Sequence, residues 1–178
     1  MSKISLERVL VGNINIPDGA VDITDPCYDK NVWCRMSTKV KPGKYNCYSY
    51  IGEDPCWGKR VWINQIVIAD DEHSAIAEER IRSGKSWRKI GTIGVDAGMA
   101  GFFNHKPDFN DDDWAELCNW LFDETIPCLH NPNDVDNSYI HRFKPGDGFW
   151  TDSGCGDGSY TVHAIRENRK IIALEIRF

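Results

Sequence analysis

Four aspartates, Asp22, Asp25, Asp96 and Asp157, fall in three stretches that use glycine and aspartate alike and lead into aromatic or apolar residues. The stretches are Asp22-Ile23-Thr24-Asp25-Pro26-Cys27-Tyr28, Gly94-Val95-Asp96-Ala97-Gly98-Met99-Ala100-Gly101-Phe102-Phe103 and Ser153-Gly154-Cys155-Gly156-Asp157-Gly158-Ser159-Tyr160. Carboxylates brought together in one pocket can hold a hard cation, an amine, a guanidinium, a sugar hydroxyl or a nucleobase N–H. A crowded pair can also divide into general acid and general base, because mutual repulsion raises one pKa. The plainer role for any single aspartate is to tie down its own glycine turn through backbone N–H groups. Three such loops in one chain predict a shared pocket lined by Asp22, Asp25, Tyr28, Trp57, Arg60, Asp96, Gly98, Trp150, Gly156, Asp157 and Tyr160.

Other chemistry is less well supplied. Carboxylates facing a ligand disfavour bare phosphate, which needs a bridging metal or Lys59, Arg60 or Arg88 nearby; no G-x-x-x-x-G-K-[ST] loop is present. Cys27 is a conceivable nucleophile with His105 or His163 as base, but adjacent Asp25 opposes the thiolate, and unpaired cysteines are mostly small buried residues. No C-x-x-C pair signals zinc. The oxygen-rich run Asn131, Asn133, Asp134, Asp136 and Asn137 lacks EF-hand spacing and reads as a solvated loop. Among the tryptophans, Trp62 and Trp87 lie in apolar strands and are assigned to the core. Trp57, before Gly58, and Trp150, near the third loop, are the candidates for a stacking wall, with Trp33 a further ring.

These residues belong to an acidic chain of 178 residues with a formal charge of −6. The length fits one domain, residues 1–178. The charge disfavours duplex nucleic acid and anionic membrane, and no segment reaches the ~18 apolar residues of a membrane span. Seven cysteines, an odd number, with no apolar leader predict reduced thiols and a cytoplasmic location. No motif identifies a cofactor.

Periodicity supplies the scaffold. Strands are predicted at Val9–Ile16, Ala20–Thr24, Lys44–Ile51, Arg60–Ala69, Arg88–Val95, Ala100–Phe103, Tyr160–Arg166 and Lys170–Phe178, the last two joined through Glu167-Asn168-Arg169. In the last strand Ile172, Leu174, Ile176 and Phe178 share a face, and Glu175 and Arg177 point away. Helices are predicted at Asp71–Arg82, closed by Gly84, and at Asp111–Asp123, capped by Asn110 with Trp114, Leu117, Cys118 and Leu121 as one apolar stripe. Cys128–Gly148 reads as irregular connection. The fold class is α+β, mainly antiparallel β, a curved sheet or barrel-like sandwich with two helices.

In order and content, the blocks Asp25-Pro26-Cys27-Tyr28, Trp57-Gly58-Lys59-Arg60-Val61, Val95-Asp96-Ala97-Gly98, Phe102-Phe103, Trp114 with Cys118, and Ser153 through Tyr160 resemble a family of phage and bacterial proteins without an assigned activity. Ala97 and Met99 stand where that family often has Ser and Gln. The resemblance implies a shared fold and a phage or bacterial source, hence a host cytoplasm for a phage-encoded protein. It implies no reaction. The residues themselves predict a binding module that holds a small polar ligand or cation in the three-loop pocket. The alternatives are a hydrolase using the same carboxylates, with or without a divalent metal, and an interaction protein that covers a host protein.

Overall fold

The computed structural model describes residues 5–56, 58–84, 86–105, 110–121, 138–143 and 146–178. Two antiparallel sheets carry the chain. The first runs β1 (Leu6–Ile16), β4 (Gly43–Asp54), β5 (Gly58–Ile68), β11 (Lys170–Arg177), β10 (Gly158–Glu167) and β6 (Arg88–Val95) across its width. The second runs β3 (Met36–Lys39), β2 (Ala20–Thr24), β7 (Met99–Asn104), β9 (Gly146–Asp152) and β8 (Ser138–Phe143). With helices α1 (Asp71–Ser83) and α2 (Asp111–Leu121), this is the α+β, mainly antiparallel sandwich that the periodicity predicts.

The inner faces follow from strand alternation. On β5, Asn64, Ile66 and Ile68 point toward the second sheet, since Asn64 donates to Ala100 O at 3.2 Å and to Thr151 Oγ1 at 2.5 Å. Leu174 and Ile176 of β11 stand in register with Ile66 and Asn64, and Tyr45, Cys47, Phe102 and Phe149 join the same buried body. The outer face of β5, β11 and β10 carries Val67, Ala173 and Ile165 in register, and α1 lies across these three strands. Both faces of β11 are therefore covered, so Ile171 through Ile176 are all buried. Glu175 does point away from the inner face, as the alternation predicts, yet it is buried too. It accepts from Arg177 Nε at 2.5 Å and Gln65 Nε2 at 3.4 Å. Burial raises the pKa of its carboxyl, and Arg177 pulls it back.

Local signals set the elements. Asp70 caps α1 by accepting from His73 N at 2.6 Å, and Gly84 closes it in the left-handed region at φ 66°. At α2, Asn110 Oδ1 accepts from Asp113 N at 3.0 Å, and Asp113 Oδ2 accepts from Asn110 N at 2.8 Å. This reciprocal cap explains the acidic run as a helix start. Asn168 and Arg169 both take positive φ, 46° and 68°, the two-residue turn whose twist matches the β10–β11 hairpin.

Several expectations need correction. Met36–Lys39 forms a strand paired with β2, although Ser37, Thr38 and Lys39 give no apolar signal; pairing to Ala20–Ile23 supplies it. Ser138–Phe143 is a strand rather than irregular connection, because it pairs with β9 along its length. Residues 146–148, at the end of the predicted connection, likewise belong to strand β9. Residues 128–137 with the oxygen-rich run, and 144–145, lie outside the described residues. So do the end of the second helix beyond Leu121 and the side chains of Leu117 and Leu121. Cys27 and Cys118 form a disulfide across 91 residues, against the expectation of reduced thiols throughout. A cysteine count does not report which distant segments fold together; the pair forms because α2 lies beside the β2–β3 loop, with the two Cα atoms 4.8 Å apart. Among the described residues, Cys34, Cys47, Cys56 and Cys155 take part in no disulfide.

Candidate functional site

The three glycine-aspartate loops meet, and their aspartates are the fasteners. Asp25 is fully buried. Its Oδ1 accepts from Cys27 N at 2.8 Å within its own turn. Its Oδ2 accepts from Asp96 N at 2.8 Å and Ala97 N at 2.6 Å in the second loop. Burial pushes the Asp25 carboxyl pKa up and the nearby Asp96 charge adds to this, while the three amides pull it down. The third loop closes the set: Asp157 Oδ1 accepts from Gly98 N at 3.1 Å, and Ser153 N donates to Gly98 O at 2.9 Å. The side chains of Asp96 and Asp157 lie at the surface. The turn role predicted for single aspartates is thus met in a modified form, since Asp25 and Asp157 each bind the backbone of a neighbouring loop.

Asp22 belongs elsewhere. It accepts from Ser37 Oγ, has His105 Nδ1 at 2.8 Å and Arg35 Nη2 at 3.6 Å, and is buried. Arg35 stacks on Trp114 of α2 at 4.2 Å. Asp22 therefore anchors the β2–β3 pair near α2 instead of joining the clasp. Tyr28 is half-buried, its hydroxyl beside Gly94 and Cys34, with a pKa pushed up to about 12 by burial first and then by the nearby thiol and carboxylates. With Cys27 in a disulfide and His105 held against Asp22, the proposed nucleophile and base do not form a pair. His163 stands opposite Glu175 on the β10–β11 ladder. Among the described residues, no three His, Cys, Asp or Glu side chains come close enough to share a metal ion.

A cleft of about 360 Å3 opens beside the clasp, lined by Asp54, Arg60, Trp62, Gly154, Cys155 and Gly156. Its first wall is the end of the β4–β5 hairpin. Asp54 pairs with Gly58, and Arg60 lies two residues further on, so Asp54 and Arg60 share a face. Trp62 is fixed by its indole N–H, which donates to Gly52 O at 3.3 Å. The second wall is the third glycine loop. Arg60 Nη1 donates to Gly154 O at 3.0 Å and ties the walls together. Gly154 has φ 60°, and a Cβ there would stand 2.2 Å from Val61 O, so only glycine lets the loop lie on β5. Gly156 O accepts from Ser153 Oγ at 2.5 Å and Tyr160 OH at 2.6 Å, which sets the loop's curl; burial raises the Tyr160 pKa.

The tryptophan assignments exchange places. Trp150 is buried, stacked on Phe103 with ring centroids 6.1 Å apart, and belongs to the core. Trp62, assigned to the core from its apolar strand, lines the cleft. The register of β4 and β5 shifts between Tyr50 and Ile51, which leaves Trp62 as the extra residue of a bulge. Trp33 projects into solvent, 93% exposed, from the β2–β3 loop. Trp57 lies outside the described residues. Arg88 pairs with Ala164, at the opposite end of β10 from the third loop, and is no part of the site.

Of the predicted residues, Asp25, Asp96, Gly98 and Asp157 gather in the clasp. Arg60 and Gly156 line the cleft, and Tyr160 supports it. Asp54 and Trp62 were missed. Period-two spacing from Arg60 to Trp62 was the available signal, but the apolar run of β5 masked it.

The fold and site define an antiparallel β-sandwich with a clasped three-loop corner and an adjoining cleft. The chain matches no family model, no curated protein and no solved structure. Among the described residues, no helix is long and apolar enough to cross a membrane.

Proposed function

We propose that the protein is a binding module that holds a small polar ligand in the cleft between the β4–β5 hairpin and the third glycine loop. The supporting observation is the joint between Arg60 and Gly154, which sets a cation, a carboxylate and an indole around one concavity of ligand size. The clasp's role is to hold the wall still, which suits a preformed pocket. The hydrolase alternative draws less support. Asp25 is buried and engaged by three amides, and Asp157 accepts from Gly98 N, so these carboxylates serve the backbone. The host cytoplasm as the place of action, and a host protein as partner, remain implications of the family resemblance.

Native mass spectrometry of protein recovered from a cell extract tests the reading. Arg60→Gln keeps a donor for Gly154 O and removes the charge. The expected result is a small molecule retained by the wild-type chain and lost from Arg60→Gln at unchanged melting temperature. Equal retention by both proteins, or none by either, removes the cleft as the site.

A further inference from the structure

We propose that Trp33 and the outward side of α2 form a docking surface for a basic protein segment, one that presents arginine or lysine side chains. The surface belongs to the β2–β3 loop and α2, and it stands independently of the reading of the cleft.

The ring comes first. Trp33 is 93% exposed, whereas Trp114 and Trp150 are buried in the core. So complete an exposure gives the fold almost nothing, because hydrophobic stabilisation follows the apolar area removed from water. A tryptophan offers about 150–250 Å2 for a partner to cover and fixes few torsions in doing so. It is also enriched among the residues that dominate binding energy at interfaces.

The loop that carries the ring is held on both sides of it. Before Trp33, Asp25 accepts from Cys27 N, Cys27 is bonded to Cys118, and Lys30 N donates to Asp111 Oδ1 at 2.9 Å. After it, Cys34 O accepts from Gly94 N at 2.8 Å, and Arg35 Nη1 donates to Tyr28 O at 3.1 Å. Two turns complete the loop: Val32 N donates to Asp29 O at 3.2 Å, and Arg35 N to Val32 O at 3.3 Å. A ring presented from a loop fastened in this way is in place before a partner arrives, so binding pays little for ordering it.

The charges select the partner. Lys30 and Arg35, on either side of Trp33, both touch α2 and set the loop beside that helix. Trp114 and Cys118 face the loop, which leaves Asp112, Ala115, Glu116 and Asn119 as an outward stripe, all four exposed. Asp29 is exposed on the loop itself. Among the described residues of loop and helix the cations are Lys30 and Arg35, and Arg35 is turned inward, between Asp22 and the Trp114 ring. The surroundings of Trp33 are thus acidic, on a chain of formal charge −6. Such a surface attracts arginine and lysine and repels nucleic acid, anionic membrane and a second copy of itself. The indole adds to the selection, since a guanidinium or ammonium rests favourably over its face.

Fluorescence anisotropy of the full, oxidised chain with a labelled peptide of alternating arginine and serine tests the surface. A glutamate–serine peptide, vesicles of phosphatidylcholine with and without phosphatidylglycerol, and sedimentation velocity of the chain alone are the controls. The expected result is saturable binding of the arginine peptide that weakens as salt is raised. Trp33→Ala changes no charge and is expected to weaken that binding about tenfold at an unchanged melting temperature. Asp112→Asn combined with Glu116→Gln is expected to weaken it as well and to flatten the salt dependence. No binding of the arginine peptide overturns the proposal, as does equal binding of the glutamate peptide or unchanged affinity in the double variant. Equal affinity in Trp33→Ala also overturns it, since attraction to an acidic protein at large needs no indole. A lower melting temperature in Trp33→Ala assigns the ring to the fold, and vesicle binding or self-association that depends on Trp33 assigns the surface to another occupant. Either result overturns the proposal.

Discussion

A fully buried carboxylate is tolerable only when donors replace the water it has lost, and Asp25 obtains three from the backbone of two loops. Asp25→Ala strands those N–H groups and is expected to cost about 2–4 kcal/mol in a urea titration. Asp96→Ala, whose side chain is at the surface while its backbone does the bonding, is expected to stay within about 0.5 kcal/mol of wild type. A comparable loss in both variants would mean that the Asp96 side chain also holds the clasp. Asp70 illustrates the opposite titration. Burial opposes its charge, but Lys41 Nζ at 2.5 Å and the His73 N–H bring its pKa from the ordinary 3.8 down to about 2. A depressed carboxyl contributes stability that is present above its unfolded pKa and is lost as pH falls through the folded one. Melting temperature followed from pH 5 to pH 2 should therefore fall through that window, and fall less in Asp70→Asn.

At the scale of elements, the cleft depends on a hairpin end and a glycine loop, joined by the Arg60 guanidinium and by the close packing of Gly154 on Val61, while α2 is tied to the β2–β3 loop. Cys27–Cys118 links that loop to the helix, Lys30 N donates to Asp111 Oδ1 at 2.9 Å, and Trp114 meets Phe103 edge to face with centroids 5.7 Å apart. The disulfide closes a loop of 91 residues, so Cys118→Ser is expected to cost about 2–4 kcal/mol. Thermal melts with and without a dithiol reductant check this: reductant should lower the wild-type transition and leave the variant's in place. The cleft lies between the β4–β5 hairpin and the third glycine loop, so ligand retention is expected to survive the same substitution.

At the scale of the molecule, the two sheets are joined through their apolar faces and a buried polar bridge. Asn64 of β5 reaches Ala100 O and Thr151 Oγ1 across the core, and Ser49 Oγ donates to Asn64 Oδ1 at 3.3 Å. Asn64→Leu leaves these groups without their partner and is expected to cost about 2 kcal/mol, read as a lower denaturation midpoint with an unchanged slope. A neutral result would mean that the bridge specifies how the sheets align without stabilising them.

Strand alternation, caps and turn residues are local, and the sequence by itself determined them: β2 and β6 fall at their predicted bounds, α1 begins at Asp71 beside its Asp70 cap, and Gly84 ends it. It also determined that three loops of one chemistry would occur. Tertiary structure alone decided where their carboxylates point. Whether an aspartate faces a ligand or an amide depends on which backbone N–H groups distant segments bring within about 3 Å. It also decided that Trp62 would stand in the cleft and Trp150 in the core, since a bulge and a sheet-to-sheet contact set those positions. Residue type and spacing limit what a side chain can do; the neighbours supplied by folding select which of those roles it takes.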